Sequence, residues 1–190
     1  MLSAWFGHFL DKPLAPLAKR IPFDPNVITI AGLVVTAIAA AIIPLDLSFG
    51  GLMILVGGAF DMLDGLIART NGKRTRFGAF LDSTLDRYAD SLLFIGVTWF
   101  FYKAGSPAGA LLSVGSIVGS LVISYARARA EALGVECKVG IMERPERVIL
   151  LALGCISGLL FPCIILIFVL SHFTVMQRIV HVYRQLKPGQ

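Results

Sequence analysis

The sequence predicts an all-α integral membrane protein with six transmembrane helices and both termini cytoplasmic. Three observations lead there. The 190 residues are 56% hydrophobic and 15% charged, with a mean hydropathy of +0.80, whereas soluble domains carry nearer a quarter charged residues. Long charge-free runs cover Val27–Leu45, Leu47–Phe60, Ala104–Ala126 and Val148–Gln177. Finally, six spans place every Lys and Arg except Lys103 on one side, the bias of the positive-inside rule. The net charge of +5 therefore reports membrane orientation and attraction for anionic substrates. No aromatic-basic interleaving points to nucleic acid.

The elements follow in chain order. Leu2, Trp5, Phe6, Phe9 and Leu10 share one helical stripe before Pro13, Pro16 and Lys19-Arg20. This stretch is too short to span, and its charges follow its apolar run, unlike a signal peptide. Residues 1–20 are expected to form an amphipathic interfacial helix, and 21–187 the six-helix domain. The first span, about 25–44, opens at Pro25-Asn26, an early helical position that tolerates proline. The Leu47 run is too short for a roughly 30 Å core and must extend through the following acidic segment, giving 48–70. The apolar run Ser91–Tyr102 likewise needs the residues before it, giving 77–102. The fourth span covers 105–131. Val148–Gln177 is long enough for two helices around Gly154, Gly158 and Pro162, giving 145–161 and 163–185. A five-span reading would strand Arg178, Arg184 and Lys187 on the far side. Cys137, Cys155 and Cys163 read as small buried hydrophobes.

Within this apolar chain stand Asp61, Asp64, Asp82 and Asp86. One carboxylate at a bilayer centre costs roughly 2.5–3.5 kcal/mol on the lenient insertion scale, so four demand counter-charge. Asp61 and Asp64 are spaced i, i+3, and Asp82 and Asp86 i, i+4, so each pair projects from one helix face. Topology puts both pairs near one membrane face. Gly65, Ala68 and Gly78 leave those faces bare. Four carboxylates form a hard-oxygen cage suited to Mg²⁺, Mn²⁺ or Ca²⁺, enough for the two-metal arrangement that recurs in phosphoryl chemistry. Arg69, at the membrane edge, can engage phosphate oxygens as a fork of donors. Asp90 is expected to pair with a neighbouring helix. A divalent-cation transporter would place its site near the midplane and often shows inverted repeats. Neither feature is seen here.

Asp61-x2-Asp64-Gly65-x2-Ala68-Arg69-x8-Gly78-x3-Asp82-x3-Asp86 resembles, without departure, the signature of CDP-alcohol phosphotransferases. The resemblance implies a six-helix homodimer in the cell's inner membrane. It would transfer a phosphatidyl group from a CDP-linked lipid such as CDP-diacylglycerol to an alcohol, releasing CMP. It further implies that Asp61, Asp64, Asp82 and Asp86 bind two Mg²⁺ (or Mn²⁺) ions, with Asp86 also the general base. Gly65, Arg69 and Thr75 would contact the CDP group with Asp61, Asp64, Ala68 and Gly78 beside it, and Asn26 and Thr29 would touch the nucleotide.

A second cluster bears on the alcohol. Arg127 and Arg129 end the fourth span, and Glu143-Arg144-Pro-Glu146-Arg147 opens the fifth. Arginines beside a phosphoryl-transfer site suggest a phosphorylated acceptor. Arg127 and Arg147 are expected to bind its phosphate, and Arg129 and Arg144 to pair with Glu131, Glu143 and Glu146. The segments 78–87, 124–131 and 139–147 are similar to phosphatidylinositol-phosphate synthases of bacteria and their archaeal ether-lipid relatives. That resemblance implies an inositol-phosphate pocket at Ser124, Arg127, Arg147 and Arg178, with Arg127 standing where the bacterial enzymes usually have Lys. Glycerol 3-phosphate is the alternative acceptor.

Overall fold

A computed structural model of the chain describes residues 24–187. The amphipathic stretch expected at 1–20 lies outside the described residues. Six helices follow: α1 Pro25–Ile42, α2 Leu47–Thr70, α3 Arg76–Lys103, α4 Pro107–Ala132, α5 Arg144–Ser157 and α6 Leu160–Leu186. No strand occurs among the described residues.

The starts of the helices are local chemistry. Asp24, Asp46, Thr75 and Ser106 each turn a side-chain oxygen onto an orphan amide of the first turn, of Asn26, Phe49, Gly78 and Gly109 respectively, at 2.8–3.4 Å, which satisfies donors the helix cannot. Pro25 and Pro107 enter just behind these caps, where the missing N–H is no loss. The long apolar run breaks at Gly158, whose φ of 73° is left-handed and ends α5. Pro162 falls inside the first turn of α6 instead of at the break, so the fifth helix is shorter than its sequence suggests.

The helices alternate in direction and close into a ring in the spatial order α1, α2, α5, α6, α4, α3. At the end away from the aspartates, Ile43, Ile54, Phe94, Val97, Leu151, Ile164 and Ile167 form the apolar core. Large apolar side chains such as Val34, Leu111, Val169 and Phe173 cover the outside. Lys103 sits at this end, its ammonium 3.3 Å from the Pro44 carbonyl. The opposite end is polar inside, with Asp64, Asp90, Arg147, Thr174 and Arg178 all buried.

Four helices, α1, α2, α4 and α6, are long and apolar enough to cross a membrane. With 28 residues α3 is about 42 Å long at 1.5 Å per residue, but it carries three aspartates, Asp82, Asp86 and Asp90. The 14 residues of α5 reach only about 21 Å.

Candidate active site

Close approach of α1 and α2 brings the first carboxylates into place. A Cβ on Gly57 would lie 2.6 Å from the Thr36 hydroxyl, so only glycine lets these helices meet here. One turn further along α2 stands Asp61, and the next turn presents Asp64. Across from them α3 supplies Asp82. Ligand oxygens of Asp61, Asp64 and Asp82 lie within 4.8 Å of one another. Asp64 is 4% exposed, and its Oδ2 is buried without a hydrogen bond. A buried acceptor left unmade costs about 1–3 kcal/mol, more when charged. Three converging carboxylates with an orphan oxygen fit a divalent cation, and the all-oxygen donor set suits Mg²⁺ or Mn²⁺ over zinc.

A cavity of about 340 Å³ opens beside this cluster, between the start of α1, the end of α2 and the start of α3. Asn26, Thr29, Asp64 and Gly65 line it, together with Ala68, Arg69, Thr75 and Gly78. Eight of the nine residues expected around the CDP-lipid thus share one space, and the ninth, Asp61, lies next to it. The glycines are close-fitted as well as bare: a Cβ on Gly78 would stand 3.0 Å from the Thr75 hydroxyl and 3.1 Å from Asn26 Oδ1. Lys73 and Arg74 also line the cavity. Neither was singled out from the sequence, although two adjacent cations in a five-residue connection between aspartate-bearing helices were a signal for them.

A second cavity, of about 180 Å³, lies between α3, α4, α5 and α6. Ser124, Arg127, Arg147 and Arg178 all line it, as do Asp86 and Arg144. The structure therefore gathers the four expected acceptor residues and sets them against Asp86. The three arginines expected at the acceptor all have protein partners. Arg127 Nε donates to Glu131 at 2.8 Å, an exposed i, i+4 pair. Arg147 is buried, with Nη2 2.6 Å from Asp90 Oδ2 and Nη1 3.2 Å from the Met142 carbonyl, while its Nε faces no partner. Arg178 donates to the Ile123 and Val139 carbonyls at 2.6 and 2.9 Å and lies 3.7 Å from Glu143.

Asp90 pairs as its sequence position suggested: Ser120 and Arg147 each approach Oδ2 at 2.6 Å. Arg144 departs from expectation. Instead of serving the glutamates of its own turn, it enters the aspartate cluster, contacting Asp61, Asp86 at 3.0 Å and Asp90 at 3.3 Å. As the first residue of α5 it points along the ring interior, where α2 and α3 present more carboxylate than the solvent side offers. Arg129 is exposed on α4.

An all-helical membrane bundle that sets a cluster of carboxylates between a basic nucleotide-sized cavity and an arginine-lined one defines an enzyme of phosphoryl chemistry. The chain belongs to the CDP-alcohol phosphatidyltransferase family, whose model matches residues 23–183. It is 40% identical over 189 residues to the archaetidylinositol phosphate synthase of Methanothermobacter thermautotrophicus, covering 96% of this chain and 94% of that protein. It is 38% identical to the phosphatidylinositol phosphate synthase of Corynebacterium glutamicum, covering 92% and 84%. Its fold matches the crystal structure of the Mycobacterium tuberculosis phosphatidylinositol phosphate synthase with CDP-DAG bound, with a TM-score of 0.83 and 34% identity over 95% of this chain and 96% of that one. The same enzyme in complex with manganese and citrate matches with a TM-score of 0.82.

Proposed function

We propose that this enzyme transfers the lipid-phosphate group of a CDP-linked lipid to a hydroxyl of inositol phosphate, forming phosphatidylinositol phosphate or its ether-lipid counterpart and releasing CMP. The observation that carries the reading is the pair of cavities flanking the aspartates, with Asp64 and Asp82 lining one and Asp86 lining the other. One gathers the residues that the family resemblance assigns to the donor, and the other gathers four cationic or hydroxyl-bearing residues suited to a phosphorylated polyol. The names of the relatives at about 40% identity supply the acceptor.

In this reading Asp61, Asp64, Asp82 and Asp86 hold two Mg²⁺ or Mn²⁺ ions. Bound divalent cations supply neutralisation of the charge that builds on the pyrophosphate of the donor. Arg69, Lys73 and Arg74 attract the donor phosphates, while Gly65 and Gly78 leave the nucleotide room against the backbone. Asp86 takes the proton of the acceptor hydroxyl as its oxygen attacks the β-phosphorus in line. The bond from that phosphorus to the CMP oxygen breaks, and CMP leaves. Ser124, Arg127, Arg147 and Arg178 orient the acceptor through its phosphate. Six spans, with both ends and the site on the cytoplasmic side, accommodate the Lys and Arg asymmetry. The 14-residue α5 then crosses with help from Glu143 and from Gly158 onward. The enzyme works as a homodimer in the inner membrane.

The test is CMP release from purified protein with Mg²⁺ and either CDP-diacylglycerol or an ether-linked CDP-lipid. Inositol phosphate, glycerol 3-phosphate, inositol and serine are offered in turn. Release with inositol phosphate is expected, and the two donors separate ester from ether preference. Release with glycerol 3-phosphate alone would overturn the acceptor, and none with any acceptor would overturn the reaction.

A further inference from the structure

Arg144 ties the aspartate cluster to the acceptor-side cavity. Its Nη1 contacts Asp61 and lies 3.0 Å from Asp86 Oδ1, and its Nε donates to Asp90 Oδ1 at 3.3 Å. It also lines the acceptor-side cavity. The two ends of this guanidinium face different conditions. Asp90 is buried and held on its other oxygen by Ser120 and Arg147 at 2.6 Å, so it is a fixed anchor. Asp61 shares its neighbourhood with Asp64 and Asp82, where oxygens converge and one is orphaned. A divalent cation on Asp61 and Asp86 and a guanidinium nitrogen on the same carboxylates are like charges at contact distance, and they repel strongly.

We propose that Arg144 is an exchangeable counter-ion. It neutralises Asp61 and Asp86 in the cation-free protein. When a divalent cation takes those carboxylates, it turns about its Asp90 contact into the acceptor cavity and adds a cation to the phosphate pocket. The acceptor's phosphate site is therefore complete only after the donor side is loaded. The buried carboxylates are never left bare, and the acceptor binds tightly only when a donor can be present. The inference rests on the metal-dependent reading above.

The test uses the full-length enzyme in detergent without donor lipid. Free Mn²⁺ is followed by electron paramagnetic resonance, and inositol phosphate binding is measured by calorimetry with and without Mn²⁺. In the native protein, Mn²⁺ is expected to tighten inositol phosphate binding about 10-fold, within the usual range of coupling between sites. In Arg144→Gln, Mn²⁺ should bind about 10-fold more tightly for want of a competitor, and inositol phosphate affinity should cease to depend on Mn²⁺. Arg144→Lys keeps the charge but loses the fork that spans Asp86 and Asp90. It should shift Mn²⁺ binding in the same direction by less, and it carries the test if the Gln variant does not fold. Arg129→Gln, removing an exposed arginine of α4, should change neither quantity. Mn²⁺ affinity in Arg144→Gln equal to or weaker than native, or coupling that survives the substitution, overturns the inference while leaving the metal site standing. Absence of saturable Mn²⁺ binding to the native protein overturns the metal reading and the inference together.

Discussion

The aspartate cluster on the donor side and the arginine-lined cavity on the acceptor side are electrostatic opposites. On the donor side, Asp61, Asp64 and Asp82 crowd like charges together, and a buried Asp64 oxygen lacks any partner. On the acceptor side, Arg127, Arg147 and Arg178 are each held by carboxylates or carbonyls of the protein itself. The first arrangement offers converging oxygens to a cation, with Arg144 as the protein's own counter-charge on Asp61. The second is organised in advance, so its arginines are already oriented when a phosphate arrives. Pre-organisation of this kind lowers the ordering cost of binding. The contrast teaches that a site's counter-charges show which component comes from outside: a cation on one side, an anion on the other.

The largest effects should come from the aspartates. Asp86→Asn is expected to reduce CMP release by about 10³-fold, within the range for losing a general base, while equilibrium binding of the CDP-lipid persists in the presence of Mn²⁺. Normal turnover in that variant would remove Asp86 from the role of base and weaken the contrast. Chelation should likewise abolish CMP release, with Mg²⁺ or Mn²⁺ restoring it.

Next in size is the buried pair. Arg147→Ala leaves Asp90 charged, buried and short of its main partner. A loss of about 3–5 kcal/mol of stability is expected, visible as a large drop in thermal unfolding temperature in detergent. Arg127→Ala removes an exposed pair and should cost no more than about 0.5 kcal/mol, while raising the KM for inositol phosphate about 10-fold, as for a charged contact worth roughly 1.4 kcal/mol. The donor KM should stay where it was. If both arginines affect stability alike, the division between a buried frame and an accessible rim fails.

The smallest effect is expected at Gly78. Gly78→Ala presses a methyl against the Thr75 hydroxyl and Asn26, disturbing a helix cap worth about 1 kcal/mol. A few-fold rise in donor KM with an unchanged acceptor KM would place the disturbance on the donor side alone.

The helices were legible because their signals are local. The caps Asp24, Asp46, Thr75 and Ser106 and the prolines behind them mark starts within a residue or two of where the helices begin. The break between α5 and α6 was harder. Gly154, Gly158 and Pro162 were all candidates, and only the left-handed φ at Gly158 decides among them. That the residues expected around the donor share one cavity was legible for a related reason: six of the eight that line it fall between Asp64 and Gly78, on two helices joined by a short connection. Lys73 and Arg74 escaped notice because, in a chain whose cations crowd one membrane face, they read as orientation residues. Arg144 was assigned to nearby glutamates because a flexible side chain has several carboxylates within reach along the sequence. Its actual partners lie 54 to 83 residues away.

By itself the sequence determined the all-helical membrane class, the positions of the helices, the carboxylate cluster and the reaction that follows from it. Helix periodicity, capping and the cost of charge in an apolar chain all act between near neighbours, so they are written in one dimension. Only the tertiary structure decided which arginine meets which acid. That depends on the ring order, which sets α5 beside α2 and α6, and on α3 presenting Asp86 and Asp90 to the same interior. Coulombic pairing in a buried space follows distance through the fold, and that distance is unrelated to separation along the chain.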